Sequence, residues 1–205
     1  MLSFLVPLKV VRMSRRAPIA LPPTRADVAI AKTSRRMASP AFEETLQVIT
    51  WLADEKVILG GTLLFWMYAR WGGHRTDMKG PADHLLSCVV LAGMLPHLFK
   101  RLVARKRPDR TVVHGRRHGI PRSGNAWDSF PSGHALHLGA IASSVTSLLP
   151  KRFRPIVWPS LAVLAGSRIM LLAHYPSDVA AGLALGALID KGVGRLFQAH
   201  VRRQE

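Results

Sequence analysis

The 205-residue sequence is poor in cysteine, acidic residues and aromatic residues. Its one cysteine, Cys88, excludes an intrachain disulfide. Only 12 residues are Asp or Glu against 29 Lys or Arg, so the formal net charge is +17. Aromatic residues make up 7% of the chain and do not alternate with the basic residues, which argues against a nucleic-acid-binding surface. The basic surplus is instead expected to face anionic lipid.

The chain also lacks an internal repeat and a recognisable secretory signal. The apolar segment at residues 1–8 is shorter than the apolar region of a signal peptide, and no positive charge precedes it. Residues 9–40 are rich in Arg, Ser, Pro and Ala, and Asp27 is their only acid. Residues 1–40 are therefore predicted to be a disordered basic tail, although a transit peptide has a similar composition.

Charged residues are missing from the long apolar blocks, such as residues 57–69 and 129–150, and gather between them. Apolar blocks separated by basic loops are typical of a chain that crosses a bilayer several times. The fold class predicted is all-α: a polytopic membrane bundle of about five transmembrane helices plus an N-terminal amphipathic helix. This domain is expected over residues 41–200, with a basic end at 201–205. The predicted amphipathic helix covers residues 42–53, and the apolar helices cover 57–69, 84–99, 133–149, 156–173 and a last segment from 178. Several blocks are shorter than about 20 residues, which leaves a soluble helical bundle as the alternative.

Three polar clusters interrupt this pattern, and the first is Lys100-x6-Arg107-Pro108. A seven-residue spacing returns to nearly the same face of a helix, so both cations are predicted to point at one anion. Pro108 is expected to end that helix. The alternative is a basic collar beside a membrane helix, because this region contains many other Lys and Arg residues.

The second cluster is Ser129-Phe-Pro-Ser-Gly-His134. Ser129 is predicted to cap a helix, so that Ser132 and Gly133 present backbone N–H groups at its N-terminus, which is a ready anion site. His134 stands at the same place. Alone, such a histidine is more often a capping or surface residue.

The third cluster is Ser167-Arg168-x5-His174-x3-Asp178. Arg168 falls inside an apolar helix, where an unpaired charge costs about 3 kcal/mol or more. Pro176 separates two helices, so His174 ends one and Asp178 begins the next. A carboxylate placed there can hold the imidazole through Nδ1 and leave Nε2 free to attack.

The order of the helices brings the three clusters together. The first cluster ends the second apolar helix, the second begins the third, and the third joins the fourth and fifth. If all four helices span the membrane, the clusters lie on one face of it. Three separate segments are then expected to converge on a single phosphate-sized anion.

These motifs resemble, in order, the three signatures of the type 2 phosphatidic acid phosphatase and vanadium haloperoxidase superfamily. The resemblance spans residues 100–178 and extends through the flanking helices. It implies a metal-independent phosphatase, without cofactor, that hydrolyses a lipid phosphate or an isoprenyl or lipid diphosphate. His174 is the implied nucleophile, Asp178 orients it, and His134 protonates the leaving group and activates water. The implied phosphate-binding residues are Lys100, Arg107, Ser132, Gly133 and Arg168.

Other activities fit the same motifs. The phosphoryl group could pass to another lipid or sugar, which would make the chain a lipid phosphotransferase, or bound vanadate could support halide oxidation. A membrane protein that only binds anionic lipid is the alternative outside enzymes. His114-x3-His118 and His134-x2-His137 invite a metal, but no cysteine or carboxylate joins them in the sequence. We expect membrane lipids and the substrate as partners, with no nucleic acid and no obligate protein partner.

Membrane orientation is predicted differently by two arguments. Residues 9–36 and 100–122, on the catalytic side, carry 8 and 9 Lys or Arg, whereas 70–81, 151–154 and 191–203 carry 3, 3 and 4. The positive-inside rule then favours a cytoplasmic catalytic side. The resemblance implies a bacterial inner membrane with a periplasmic site, and this is the orientation predicted here.

Overall fold

The computed structural model describes residues 17–37, 39–71, 78–112 and 125–201. Within these ranges the chain forms seven α-helices and two short strands. The helices are α1 (Arg25–Met37), α2 (Pro40–Trp51), α3 (Glu55–Trp71), α4 (Lys79–Leu102), α5 (Gly133–Leu148), α6 (Arg154–Met170) and α7 (Pro176–Val201), and the strands are β1 (Ile19–Ala20) and β2 (Val103–Ala104). The predicted all-α class is confirmed, and α2 to α7 coincide with the predicted helical segments.

Capping residues explain several of these boundaries. Ser39 precedes α2 and accepts a hydrogen bond from the Phe42 amide at 3.4 Å. Ser132 does the same for α5, with the Ala135 amide at 3.4 Å. Each cap satisfies a backbone donor that the helix leaves unpaired.

Helices α5 and α7 pack backbone against backbone at the centre of the bundle. A Cβ added at Gly139 would lie 2.2 Å from the Leu183 carbonyl oxygen, and one at Gly186 would lie 2.1 Å from that of Leu136. Only glycine permits this approach, as small residues do between membrane helices. Because α5 and α7 each begin at a predicted motif, their close packing fixes those motifs relative to each other.

The outside of the bundle is strongly apolar. Of the described helices, α4 is long and apolar enough to cross a membrane, and only 22% of its apolar window is buried. Large hydrophobic side chains are exposed on the neighbouring helices as well: Leu64, Tyr68, Val163, Leu188 and Leu196. The predicted count of five spans remains a prediction, since the other helices do not meet the same length and hydropathy test.

Two segments differ from the sequence-based expectation. Residues 25–37, assigned to the disordered tail, form α1, which begins with reciprocal hydrogen bonds between Thr24 and Asp27, both 3.0 Å. Residues 1–16 lie outside the described residues. Helix α4 ends at Leu102, five residues before Arg107, so the helix predicted to carry both cations on one face does not form. Extended pairing replaces it, because β2 runs parallel to β1.

Candidate active site

His174 lies in a tight turn that ends α6. The amides of Leu172 and Ala173 donate to the carbonyls of Ile169 and Arg168, both at 3.0 Å, which is the hydrogen-bond pattern of a Schellman motif. Leu172 takes the left-handed conformation, with φ 54°, that glycine usually occupies in this motif. The turn brings the His174 amide to 3.2 Å from the Arg168 carbonyl, so these two residues have a fixed separation.

The imidazole of His174 is held at both nitrogens. Nδ1 lies 2.7 Å from the Ser129 carbonyl oxygen, and Nε2 lies 3.2 Å from Nη1 of Arg107. A carbonyl only accepts and a guanidinium only donates, so Nδ1 carries the proton and Nε2 presents its lone pair. This tautomer is the one that a nucleophilic Nε2 requires.

The surroundings of His174 favour the neutral imidazole. The residue is only 4% exposed. Burial, followed by the charges of Arg107 and Arg168, holds its pKa well below the usual value near 6.5. The Ser129 carbonyl opposes this shift and does not reverse it. A neutral imidazole at pH 7 has the lone pair that attack on phosphorus needs.

Arg107 lies in the segment that follows β2, and its side chain points to His174. Its own amide donates to the Ala126 carbonyl at 2.9 Å, and its guanidinium donates to the Ala173 carbonyl at 2.9 Å and to that of Asn125 at 3.0 Å. The residue is 6% exposed. These backbone contacts hold the charged group against Nε2 of His174.

Arg168 and His134 approach from α6 and α5. The Nε atom of Arg168 is buried and has no hydrogen-bond partner among the described residues. Both residues interact electrostatically with Arg107 and with Asp54, at the start of α3. An unpaired buried donor beside a second guanidinium is a favourable environment for an anion.

The second motif is built differently from the expectation. Ser132, and not Ser129, caps α5. The Ser132 amide is already used, because it donates to the Asp178 carbonyl at 3.2 Å. Gly133 forms the first turn of α5 at this end of the bundle. Its predicted contact with phosphate, and that of Ser132, remain predictions.

Ser129 does something that its position in the sequence did not indicate. It is completely buried, its hydroxyl donates to Asp178 Oδ2 at 2.5 Å, and its carbonyl accepts from His174. The nearest approach of Asp178 to Nδ1 of His174 is 4.0 Å. Ser129 therefore occupies the place next to Nδ1 that the sequence assigned to the carboxylate.

Asp178 is nevertheless central to the site. It is fully buried, and besides Ser129 it accepts from the Tyr175 amide at 2.8 Å and from Arg105. The Tyr175 contact places Asp178 in the first turn of α7, where a carboxylate is stabilised by the helix dipole. Arg105, at a variable position of the first motif, pairs with it directly.

Lys100 lies in the last turn of α4, at the same end of the bundle, and its side chain is partly exposed. Its predicted contact with phosphate remains a prediction. The His114 and His118 pair lies outside the described residues.

One group of metal-ligand types occurs in the described part of the chain. His84, Cys88 and Asp190 place one ligand atom each within 4.8 Å of one another. Asp190 is 12 residues from Asp178 along α7, which is roughly 18 Å of helix. Its carboxylate accepts hydrogen bonds from Ser143 at 2.5 Å and Ser144 at 2.6 Å and lies 2.7 Å from His84, so this group has partners of its own far from His174.

The chain is similar in sequence to known phosphatases. The chain is 43% identical over 124 residues to a lipid A 1-phosphatase of Rhizobium etli, covering 56% of this chain and 53% of the relative. It is 39% identical over 94 residues to a decaprenylphosphoryl-5-phosphoribose phosphatase of Mycobacterium tuberculosis, covering 45% and 48%. The chain thus spans about half the length of the curated relatives it matches.

A solved structure has the same fold. The transmembrane PAP2 type phosphatidylglycerolphosphate phosphatase of Bacillus subtilis superposes with a TM-score of 0.62 at 21% identity, covering 85% of each chain. The model of the PAP2 superfamily matches residues 82–202, a range that contains all three motifs. The chain belongs to the PAP2 superfamily.

Proposed function

We propose that this protein is a phosphatase that hydrolyses a lipid phosphate or a lipid diphosphate through a phosphohistidine formed at His174. The observation that carries the proposal is the pair of contacts on its imidazole. Nδ1 faces a carbonyl at 2.7 Å and Nε2 faces the Arg107 guanidinium at 3.2 Å. A phosphate bound by Arg107 and Arg168 would present phosphorus to the Nε2 lone pair.

The proposed reaction has two steps. In the first, Nε2 of His174 forms a bond to phosphorus while the bond to the lipid oxygen breaks, and His134 gives that oxygen a proton. In the second, His134 takes a proton from water, the oxygen of that water attacks phosphorus, and the N–P bond breaks to release inorganic phosphate. Phosphoryl transfer depends mainly on in-line positioning and charge neutralisation, which guanidinium groups supply without a metal ion.

The apolar exterior supports a lipid substrate. Exposed hydrophobic side chains on α3, α4, α6 and α7 fit contact with acyl chains. The relatives named above act on lipid A, on a decaprenyl-linked sugar phosphate and on phosphatidylglycerolphosphate. We propose the same class here, with isoprenyl diphosphates such as undecaprenyl diphosphate as further candidates, in a bacterial inner membrane with the site on the periplasmic face.

A panel of lipid phosphates tests the function. Purified protein in detergent with EDTA is incubated with phosphatidic acid, phosphatidylglycerolphosphate, an isoprenyl diphosphate and a phosphorylated glycolipid, and inorganic phosphate is measured. We expect release from at least one lipid, inhibition by vanadate and no turnover by His174→Ala. The matched control is His84→Gln, at the far end of the bundle, which should retain activity. Activity that disappears with EDTA would reject the mechanism.

The phosphotransferase alternative is separated in the same assay. A radiolabelled phosphoryl group is followed with and without an acceptor lipid. Label recovered in inorganic phosphate supports hydrolysis, whereas label recovered in the acceptor would replace the phosphatase by a transferase that uses the same His174 intermediate.

A further inference from the structure

Asp27, the one acid of the N-terminal basic segment, is buried against Arg105 and the start of α7. It is 2% exposed. Its carboxylate accepts from the Ser177 amide at 3.1 Å, from the Ser177 hydroxyl at 2.7 Å and from Arg105 Nη2 at 2.7 Å. The hydrogen bonds with Thr24 account for a helix cap alone. A helix cap does not require Asp27 to contact Ser177, at the start of α7, or Arg105, after β2.

Arg105 links this carboxylate to the active site. One guanidinium nitrogen, Nη2, pairs with Asp27, and the other, Nη1, pairs with Asp178 and donates to Ser177 at 2.8 Å. The guanidinium also stacks over the Tyr175 ring, 5.0 Å from its centroid. The side chain of Arg105 is 2% exposed. A single buried cation thus bridges two buried carboxylates from opposite ends of the chain.

Stability gives little reason for such an arrangement. Burying three charges carries a large desolvation cost, and well-packed apolar residues often replace buried ion triads without loss of stability. Burial raises the pKa of Asp27, but the hydrogen bonds from Ser177 and Thr24 outweigh this and lower the pKa to about 2. The carboxylate is therefore charged at neutral pH, and Arg105 has a permanent partner.

The contacts continue from Asp178 to the nucleophile. Asp178 accepts the Ser129 hydroxyl at 2.5 Å, and the Ser129 carbonyl accepts Nδ1–H of His174 at 2.7 Å. Every link from Asp27 to His174 is a hydrogen bond or ion pair between buried groups. Further contacts fix α1 in place. Arg35 donates to the Val112 carbonyl at 2.6 Å, and Ala31 packs on Leu172 and Tyr175, which flank His174 in the turn after α6.

We propose that Asp27 and Arg105 are positioning residues that hold the imidazole of His174 in its reactive orientation through Asp178 and Ser129. Helix α1 is then a part of the catalytic apparatus, added to the family's motifs from the N-terminal segment. This inference rests on the proposed role of His174 as nucleophile.

Three substitutions test the proposal. Asp27→Asn keeps the shape of the carboxylate and removes its charge, Arg105→Gln removes the cation, and Arg105→Lys keeps the cation but cannot bridge two carboxylates. We expect kcat to fall roughly 10- to 100-fold in each, because a displacement of about 1 Å in a reacting group costs about 100-fold. KM should change less than about twofold, since Arg107 and Arg168 still bind phosphate. Asp83→Asn is the matched control, because Asp83 pairs with Arg70 at 2.7 Å in a partly exposed position on α4.

The pH dependence separates positioning from a general loss of stability. The charged and titratable groups facing His174 are Arg107 from the loop, Arg168 from α6, His134 from α5 and Asp178 from α7. In this setting Asp27→Asn removes an anion and should lower the pKa of His174. Arg105→Gln removes a cation and should raise it, whereas Arg105→Lys should leave it in place. A purely structural effect would lower activity without these opposite shifts.

The pKa of His174 is also measured without turnover. Diethyl pyrocarbonate reacts with neutral imidazole, so the rate of His174 modification against pH, followed by mass spectrometry, gives its titration in each variant.

If the wild type hydrolyses no lipid phosphate, the proposed function fails, yet opposite shifts in this titration still support the network. If the wild type is active and all three variants keep wild-type kcat per folded molecule and an unmoved His174 titration, the positioning role is overturned. Thermal unfolding in detergent supplies the folded fraction, and Asp27→Glu replaces Asp27→Asn should the latter not fold, with a smaller fall in kcat expected.

Discussion

Ser129 and Arg105 both contact Asp178, and their roles in this site were not predicted from the sequence. Arg107 contacts Nε2 of His174 directly, whereas His174 and Asp178 are linked through Ser129, and Arg105 pairs with Asp178. Ser129 supplies a carbonyl to His174 and a hydroxyl to Asp178. The residues proposed to bind phosphate, Arg107 and Arg168, are therefore distinct from Ser129 and Arg105, which contact Asp178.

His134 is expected to act in both chemical steps, and a substrate with a good leaving group separates them. With p-nitrophenyl phosphate the first step needs no proton donor, because the phenolate leaves unprotonated, but water must still be activated in the second. His134→Asn should therefore accumulate phosphohistidine at His174 and lose steady-state turnover by roughly 100-fold or more. Acid-labile, base-stable label on the protein measures the intermediate.

The control for this experiment is His174→Asn, which should form no labelled protein at all. Equal labelling of both variants would place the phosphoryl group on another residue. An unlabelled His134→Asn protein with normal turnover would remove His134 from the second step.

The pH dependence of the wild type follows from the depressed pKa of His174. Burial and the charges of Arg107 and Arg168 lower that pKa, so the imidazole is still neutral when pH falls to about 6.5, the usual value for histidine. The acid limb of kcat/KM, which reports the free enzyme, should accordingly lie below that pH. A limb at or above it, in a profile corrected for titration of the substrate phosphate, would mean that a group other than His174 controls activity.

At the scale of helices, the sequence predicted α2 to α7 from apolar blocks and their basic borders. It missed α1, because a short basic segment with one acid shows no apolar block, and the contacts of Asp27 come from residues 78 and 150 positions away. It also extended α4 to Pro108, because the pairing of β2 with β1 is non-local and leaves no periodic signal. The turn at Leu172 was equally hidden, since the expected signal for a left-handed cap is glycine.

The contact between α5 and α7 is the element on which the site depends most directly. Their first turns carry His134 and Asp178, and a Cβ at Gly139 would lie 2.2 Å from the Leu183 carbonyl oxygen. Gly139→Ala should therefore force the helices apart, destabilise the protein by about 3 kcal/mol and reduce kcat. Thermal unfolding in detergent and phosphate release measure the two effects.

Gly166→Ala is the matched control for that substitution. Nothing lies within 4 Å of a Cβ at Gly166, which is inside α6. Alanine in this helix should be neutral or should stabilise by up to about 1 kcal/mol. Equal behaviour of the two variants would show that the α5–α7 contact tolerates a wider spacing.

At the scale of the whole molecule, the bundle has a catalytic end and an opposite end. Helix α4 ends, α5 begins, α6 ends and α7 begins at the catalytic end, and hydrogen bonds join the segments there. The convergence of the motifs was predicted from this alternation. What the sequence could not supply was which cations face lipid, because burial is decided by tertiary contacts.

That distinction bears on membrane orientation. The positive-inside count favours a cytoplasmic site, but Arg105 and Arg107 are 2% and 6% exposed and are occupied within the active site. Charges that are buried inside the protein should not be counted in the positive-inside rule. Removing Arg105 and Arg107 from the count weakens the argument for a cytoplasmic site, and we keep the periplasmic prediction.

Cysteine labelling in intact cells tests the orientation. In a Cys88→Ser background, Lys106→Cys lies at the catalytic end and Lys151→Cys in the turn between α5 and α6, and both lysines are exposed. The 16 residues of α5 separate the two positions by roughly 24 Å. A membrane-impermeant maleimide should label Lys106→Cys in intact cells and Lys151→Cys only after permeabilisation. The reverse pattern would place the active site on the cytoplasmic face, where it would meet phosphorylated lipids as they are synthesised and not after export.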